Sequence, residues 1–240
     1  MLFLMPLALP VLAVYVLAAV LPAFFLLRYI YRHDTVEKEP PALLVSLLLM
    51  GVLAALASGV LERIAQGFLS IFVDPGSPVY TILLAFLVVA LVEEGMKFWL
   101  LKRRTWEHPA FNYRFDGVIY AVFVSLGFAA FENILYVFSY GLSVALPRAL
   151  LAIPGHMSFS VGMGIFYGRA KCCWERGNEA AATRNLVAGY VLAVFLHGFY
   201  DACAMIGTGL ATILFVVFVA LMFLCVYRSL KRESAKDMPV

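Results

Sequence analysis

The chain has 240 residues, of which 64% are hydrophobic and 14% charged, with a formal net charge of +3 and a mean hydropathy of +0.93. A soluble domain is about half apolar and about a quarter charged, and a chain of this length leaves too much surface exposed to hide such an excess in a core. This composition excludes disorder, a disulfide scaffold, a soluble Rossmann or TIM-barrel enzyme and a nucleic-acid binder, and it predicts an all-α polytopic membrane protein.

A spanning helix needs roughly 20 mostly apolar residues. Seven such runs follow in chain order: Leu7–Ile30, Pro41–Leu61, Val79–Leu101, Gly117–Phe138, Ala149–Gly168, Leu186–Met205 and Gly209–Tyr227. The first run is expected to be a retained helix rather than a signal peptide. Its basic residues Arg28 and Arg32 follow the apolar stretch, and no small-residue cleavage site interrupts it. The chain reads as a single integral-membrane domain over 1–240, and the longest external connection is expected at Glu62–Pro78 around the Asp74-Pro75-Gly76 turn.

Lys and Arg collect in cytoplasmic loops. Of the 18 basic residues, 15 follow spans one, three, five and seven, whereas Arg63 and Arg148 lie on the opposite side and Lys97 inside a span. The pattern predicts an outside N-terminus and a cytoplasmic C-terminus, which an odd number of spans requires. Cys172 and Cys173 are expected in a cytoplasmic loop, and no CxxC pair supports a disulfide framework or a thiolate zinc site.

An ionisable side chain inside a bilayer is costly and marks function by default. Spans one, two and seven carry essentially none, but span three carries Glu93, Glu94 and Lys97, span four Glu132 beside Asn133, span five His156, and span six His197 and Asp201. Lys97 is i+4 from Glu93 and i+3 from Glu94, within reach of either, and Asp201 is i+4 from His197 and placed to orient it. The two glutamates sit about 100° apart on the helix, so one is expected to face a cavity while the other takes Lys97 or a neighbouring helix. Pro154-Gly155 should kink span five next to His156, and Ser160, Gly164 and Gly168 form a small-residue row suited to close packing. Asn133 reads as a helix-to-helix hydrogen-bonding residue.

Glu93, Glu94, Glu132, Asp201 and Lys97 sum to −3 at full ionisation, which a low-dielectric cavity does not tolerate without protons or a cation. Carboxylates and imidazoles beside water form the equipment of general acid–base hydrolysis. Neither a His-Glu-x-x-His nor a Gly-x-Ser-x-Gly is present, so a helical zinc motif and a serine nucleophile are unsupported. An intramembrane aspartyl protease would need a Gly-x-Gly-Asp on another helix, and none exists.

Glu93-Glu94-Gly95-Met96-Lys97, Phe131-Glu132-Asn133, Gly155-His156-Met157-Ser158 and His197-Gly198-Phe199-Tyr200-Asp201, with Asp116-Gly117 opening span four, resemble the ordered motifs of the PrsW family, bacterial intramembrane proteases within the wider CAAX-protease and bacteriocin-processing group. The resemblance covers Val92 to Ala202 within a motif-bearing core of about 79–205. It implies cleavage of a membrane-anchored protein in the bacterial cell membrane, with an anti-sigma factor as the best-known kind of substrate and a single-pass protein as partner. Glu93 and Glu94 would supply the catalytic carboxylate, His156 and His197 would assist, and Lys97, Glu132, Asn133 and Asp201 would complete the polar site. The prenyl-CAAX branch typically has Asn where this chain has Asp201, which argues against prenylated substrates.

Zinc is a chemically acceptable alternative, with His156, His197 and Glu94 as ligands. The surplus of carboxylates over imidazoles favours protons, so no cofactor is expected and activity should survive chelators. Two other classes compete with the protease: a proton- or ion-coupled transporter, and a non-enzymatic membrane scaffold or sensor. The lack of a second interrupted helix in the other half of the chain weighs against the transporter.

Overall fold

A computed structural model describes residues 5–240, with side chains described from residue 9. Leu7, at the expected start of the first span, therefore has its backbone alone described. Seven helices are long and apolar enough to cross a membrane: α1 Met5–His33, α2 Pro41–Phe72, α3 Pro78–Thr105, α4 Asp116–Tyr140, α5 Leu142–Glu175, α6 Glu179–Ile206 and α7 Gly209–Ala235. All seven expected spans are present, and no named strand occurs among the described residues.

Several helices outrun their apolar cores. Helix α2 continues through Phe72, so the expected external connection shrinks to the turn at 73–77 and Glu62 lies inside a helix. The residues beyond Leu61 continue the helical bonding up to the Val73 amide, which donates to the Leu69 carbonyl, as a membrane boundary favours. Helix α3 likewise continues past Lys102 to Thr105. Its 28 residues extend about 42 Å, longer than a hydrocarbon core of about 30 Å, so Glu93 can lie deep while Lys102, Arg103 and Arg104 emerge on the last turn. Cys172 and Cys173 sit in the last turns of α5 rather than in a loop.

Helix α4 is the central one and packs against α1, α2, α3 and α5. Two glycine contacts bring backbones together there. A Cβ at Gly51 of α2 would stand 2.0 Å from the Val124 carbonyl oxygen, and one at Gly164 of α5 would stand 2.6 Å from Val118 Cα. Gly117 and Gly168 meet across the same α4–α5 seam, so the small-residue row does what its spacing predicts. Asn133 bridges helices as expected, its Nδ2 donating to the Ala19 carbonyl at 2.8 Å.

Pro154 does not break α5. The irregularity comes one turn earlier, as a π-helical turn over Arg148–Ala152. Because proline tolerates the first turn of an α-helix, the regular helix restarts at Ile153 with Pro154 in that turn. A second π-helical turn occupies Leu84–Ala90 of α3, just before the two glutamates.

The four loops rich in Lys and Arg gather at one end. Asn112 donates to Glu37 at 3.0 Å, the Phe115 amide to Asp237 at 2.8 Å, and Lys171 to the Trp106 carbonyl at 3.0 Å. The C-terminal residues pair with the α3–α4 loop through the Arg114 and Val240 amides. The molecule thus has a basic end and an opposite end, as the charge pattern requires.

Candidate active site

The ionisable residues predicted from four different helices converge. Lys97 Nζ donates to Glu93 Oε2 at 3.2 Å and to Glu94 Oε1 at 2.8 Å, and it lies 3.2 Å from His156 Nδ1. His197 Nδ1 stands 3.0 Å from Glu94 Oε1, and its Nε2 is 3.3 Å from Asp201 Oδ2. His156 Nε2 is 3.0 Å from Glu132 Oε2. Glu93, Glu94, Lys97, His156 and His197 are all at most 5% exposed.

Local structure explains the convergence. The π-helical turn before Glu93 projects Phe86 towards α6, where Gly198 has no side chain: a Cβ there would stand 2.5 Å from the Phe86 ring. The glycine of the His197-Gly198 pair therefore lets α3 and α6 approach until His197 touches Glu94. Phe159 stacks on the His197 ring at 4.8 Å, and the two imidazoles meet edge to face at 5.2 Å. Ser125 donates to the His156 carbonyl at 2.9 Å, tying α4 to the middle of α5.

The hydrogen bonds constrain the protons. An ammonium only donates, so the Lys97 contact makes His156 Nδ1 an acceptor and leaves Nε2–H to donate to Glu132. His197 has carboxylate oxygens at both nitrogens. Glu94 Oε2 is buried without a hydrogen-bond partner, an arrangement that costs stability and persists where a site requires it.

Glu93, Glu132, His156, His197 and Asp201 of the cluster line a cavity of about 630 Å³. Glu93 lines it while Glu94 does not, which is the division that their angular offset predicts. The wall also carries Glu62, Tyr136 and Arg148, none of which was selected from the sequence. Arg148 donates to Glu132 Oε2 and to Asn133 Oδ1, each at 2.8 Å, and stacks on Tyr136 at 3.8 Å. Asn133 thus reaches the site through Arg148. In the sequence Glu62 and Arg148 look like loop charges at span ends, and nothing local marks them. Their opposite charges leave the formal sum at −3.

Glu93, Glu94, His156 and His197 each offer a ligand atom, and these four atoms lie within 4.8 Å of one another. The outer nitrogens of both histidines face the carboxylates of Glu132 and Asp201, the arrangement that orients metal-ligating imidazoles. With the partnerless Glu94 oxygen and the negative sum, the donor set fits a divalent cation.

Comparison with known proteins agrees with this geometry. Residues 39–226 match the model of the PrsW family intramembrane metalloprotease. Protease PrsW of Geobacillus kaustophilus (strain HTA426) is 36% identical over 186 residues, covering 77% of this chain and 76% of the relative. Protease PrsW of Halalkalibacterium halodurans is 32% identical over 222 residues, 92% of this chain and 97% of the relative. Protease PrsW of Bacillus subtilis (strain 168) is 30% identical over 225 residues, 92% and 95% respectively. No solved structure matches the chain. Seven spanning helices, a buried glutamate–histidine cluster on the expected motifs and this breadth of similarity place the chain in the PrsW family of intramembrane proteases.

Proposed function

We propose that the chain cuts a membrane-anchored single-pass protein, an anti-sigma factor being the substrate class that the family resemblance implies, at the Glu93–Glu94–His156–His197 cluster. One observation carries this reading: four buried acid–base side chains from three helices meet, and three of them, Glu93, His156 and His197, line a cavity large enough for an extended peptide segment. Glu93 faces that cavity and takes the proton from the attacking water. The water oxygen then bonds to the scissile carbonyl carbon, and the proton passes on to the leaving nitrogen as the C–N bond breaks. Glu94, held by Lys97 and His197, keeps the His197 ring in place, and the His156 and His197 rings, which line the cavity, turn an N–H from their carboxylate partners to the carbonyl oxygen as it gains charge. Glu132, Arg148 and Asp201 hold the histidines.

Glu94, His156 and His197 would hold a divalent ion such as zinc, leaving Glu93 as the base. Such an ion supplies Lewis acidity towards the scissile carbonyl. A second reading has its own observation: Lys97 Nζ already contacts three of the four side chains, and its ammonium balances the carboxylates with glutamate acting on water alone.

The test is purified protein in liposomes with a single-pass substrate, examined by mass spectrometry for new termini. Cleavage that chelation abolishes and zinc restores supports the metal reading, and cleavage indifferent to chelators supports the Lys97 reading. Proton or ion flux across the vesicle without new termini would overturn the protease in favour of a transporter.

A further inference from the structure

A second cavity, of about 410 Å³, lies between α5, α6 and α7 and shares no lining residue with the first. Its walls are apolar, with Leu192, Leu196, Phe218 and Met222 among them. Gly162 forms part of its α5 side, where an added Cβ would stand 3.1 Å from Leu192. The groove ends at Arg169 and Arg232, in the final turns of α5 and α7 at the basic end.

From Ser158 to Arg169 the α5 wall of the groove runs about 16 Å at the helical rise, apolar along its length and with the arginines at one end.

The mouth is cationic. Arg169 and Arg232 both reach Glu233 Oε1, at 3.4 and 2.9 Å, while Arg114 takes Oε2 at 3.1 Å. Three guanidinium groups share Glu233, and Asp237 beside Arg114 is the other carboxylate nearby, so the mouth keeps one positive charge in excess. The Arg169 side chain is 40% exposed and that of Arg232 58%, so both keep free N–H groups. Guanidinium forks match phosphate oxygens, and basic pockets between spanning helices at headgroup depth select anionic lipids.

We propose that this groove binds one anionic phospholipid, an acyl chain lying against Leu192, Leu196 and Phe218 and the phosphate on Arg169 and Arg232. A second copy of the chain in the same membrane would bring its own basic end to the mouth rather than an anion, and a zwitterionic lipid carries no net charge to meet the surplus.

The test is native mass spectrometry and thermal melting of the full chain, delipidated in detergent and titrated with phosphatidylglycerol or phosphatidylcholine. One phosphatidylglycerol should be retained per chain, with a preference of about thirtyfold for two arginine contacts, together with a rise in Tm that phosphatidylcholine does not produce. Arg169→Gln with Arg232→Gln should abolish the preference, and Arg103→Gln with Arg228→Gln, exposed elsewhere at the same end, should leave it. Cys225→Phe, at an exposed groove position, should block retention with both arginines intact. Equal retention of the two lipids, or a preference unchanged in the Arg169/Arg232 variant, would overturn the proposal. So would a dimer that Cys225→Phe dissolves, in favour of a second copy.

Discussion

Among single residues, Glu93 and Glu94 differ in what they face. Glu93 lines the cavity, whereas Glu94 is fully buried between Lys97 and His197. Glu93→Gln keeps the shape and removes the base, so cleavage should fall by about 10²–10⁴-fold with the melting temperature near wild type. Glu94→Gln and His197→Ala should lose activity to a similar extent. Full cleavage in both glutamine variants, measured by appearance of new termini, would refute a glutamate-based site. Lys97→Met is different in kind, because it strands two buried carboxylates. Removing one partner of a buried ion pair costs about 3–5 kcal/mol, so this variant should show its main defect in thermal stability rather than in the pH optimum.

At the scale of helices, close approach between α4 and α5 is what aligns Glu132 with His156. Gly164 sits against Val118 and Gly117 backbone, which cannot move aside as a flexible side chain would. Gly164→Leu should cost about 1–3 kcal/mol or more by overpacking, and cleavage should drop with it. Gly59 of α2 has nothing within 4 Å of a built Cβ, so Gly59→Leu should change stability by no more than about 0.5 kcal/mol. Melting both variants in the same detergent checks the contrast. Equal tolerance at the two positions would mean that the seam does not set the helix spacing.

Across the whole molecule, the basic end and the active-site end are distinct, and the charge pattern predicts that the basic end faces the cytoplasm. In a cysteine-free background, Arg176→Cys should resist an impermeant thiol reagent added to intact cells, and Asp74→Cys should react. The reverse pattern would invert the orientation. The basic end also holds a pH-dependent joint. Glu39, before α2, accepts a hydrogen bond from Tyr120 at 2.6 Å. Burial raises its carboxyl from 4.5 to about 7, against the lowering effect of that bond. A carboxyl raised in the fold binds more protons there than in the unfolded chain, so its contribution is complete below pH 4.5 and is lost as pH rises through about 7. Melting temperature should fall over that window, and Glu39→Gln should flatten the fall.

Class and number of spans were legible in the sequence, and so was the placement of ionisable residues inside the spans, because bilayer insertion penalises each charge. The seven apolar runs and the polar residues of spans three to six therefore stood out one by one. The i+3 and i+4 contacts of Lys97 and Asp201 were equally readable, since helix geometry is local. Glu62 and Arg148 were not, because at the ends of apolar runs a charge costs little and looks like a loop residue. Only the packing of α2 and α5 around α4 turns both into the cavity. The two π-helical turns had no periodicity to announce them, and Gly198 had no distinguishing spacing. That Phe86 fills the space at Gly198, bringing His197 to Glu94, is a fact about two helices meeting. The sequence thus determined which ionisable groups lie inside the spans, and the tertiary structure decided which of them touch and which line the cavity.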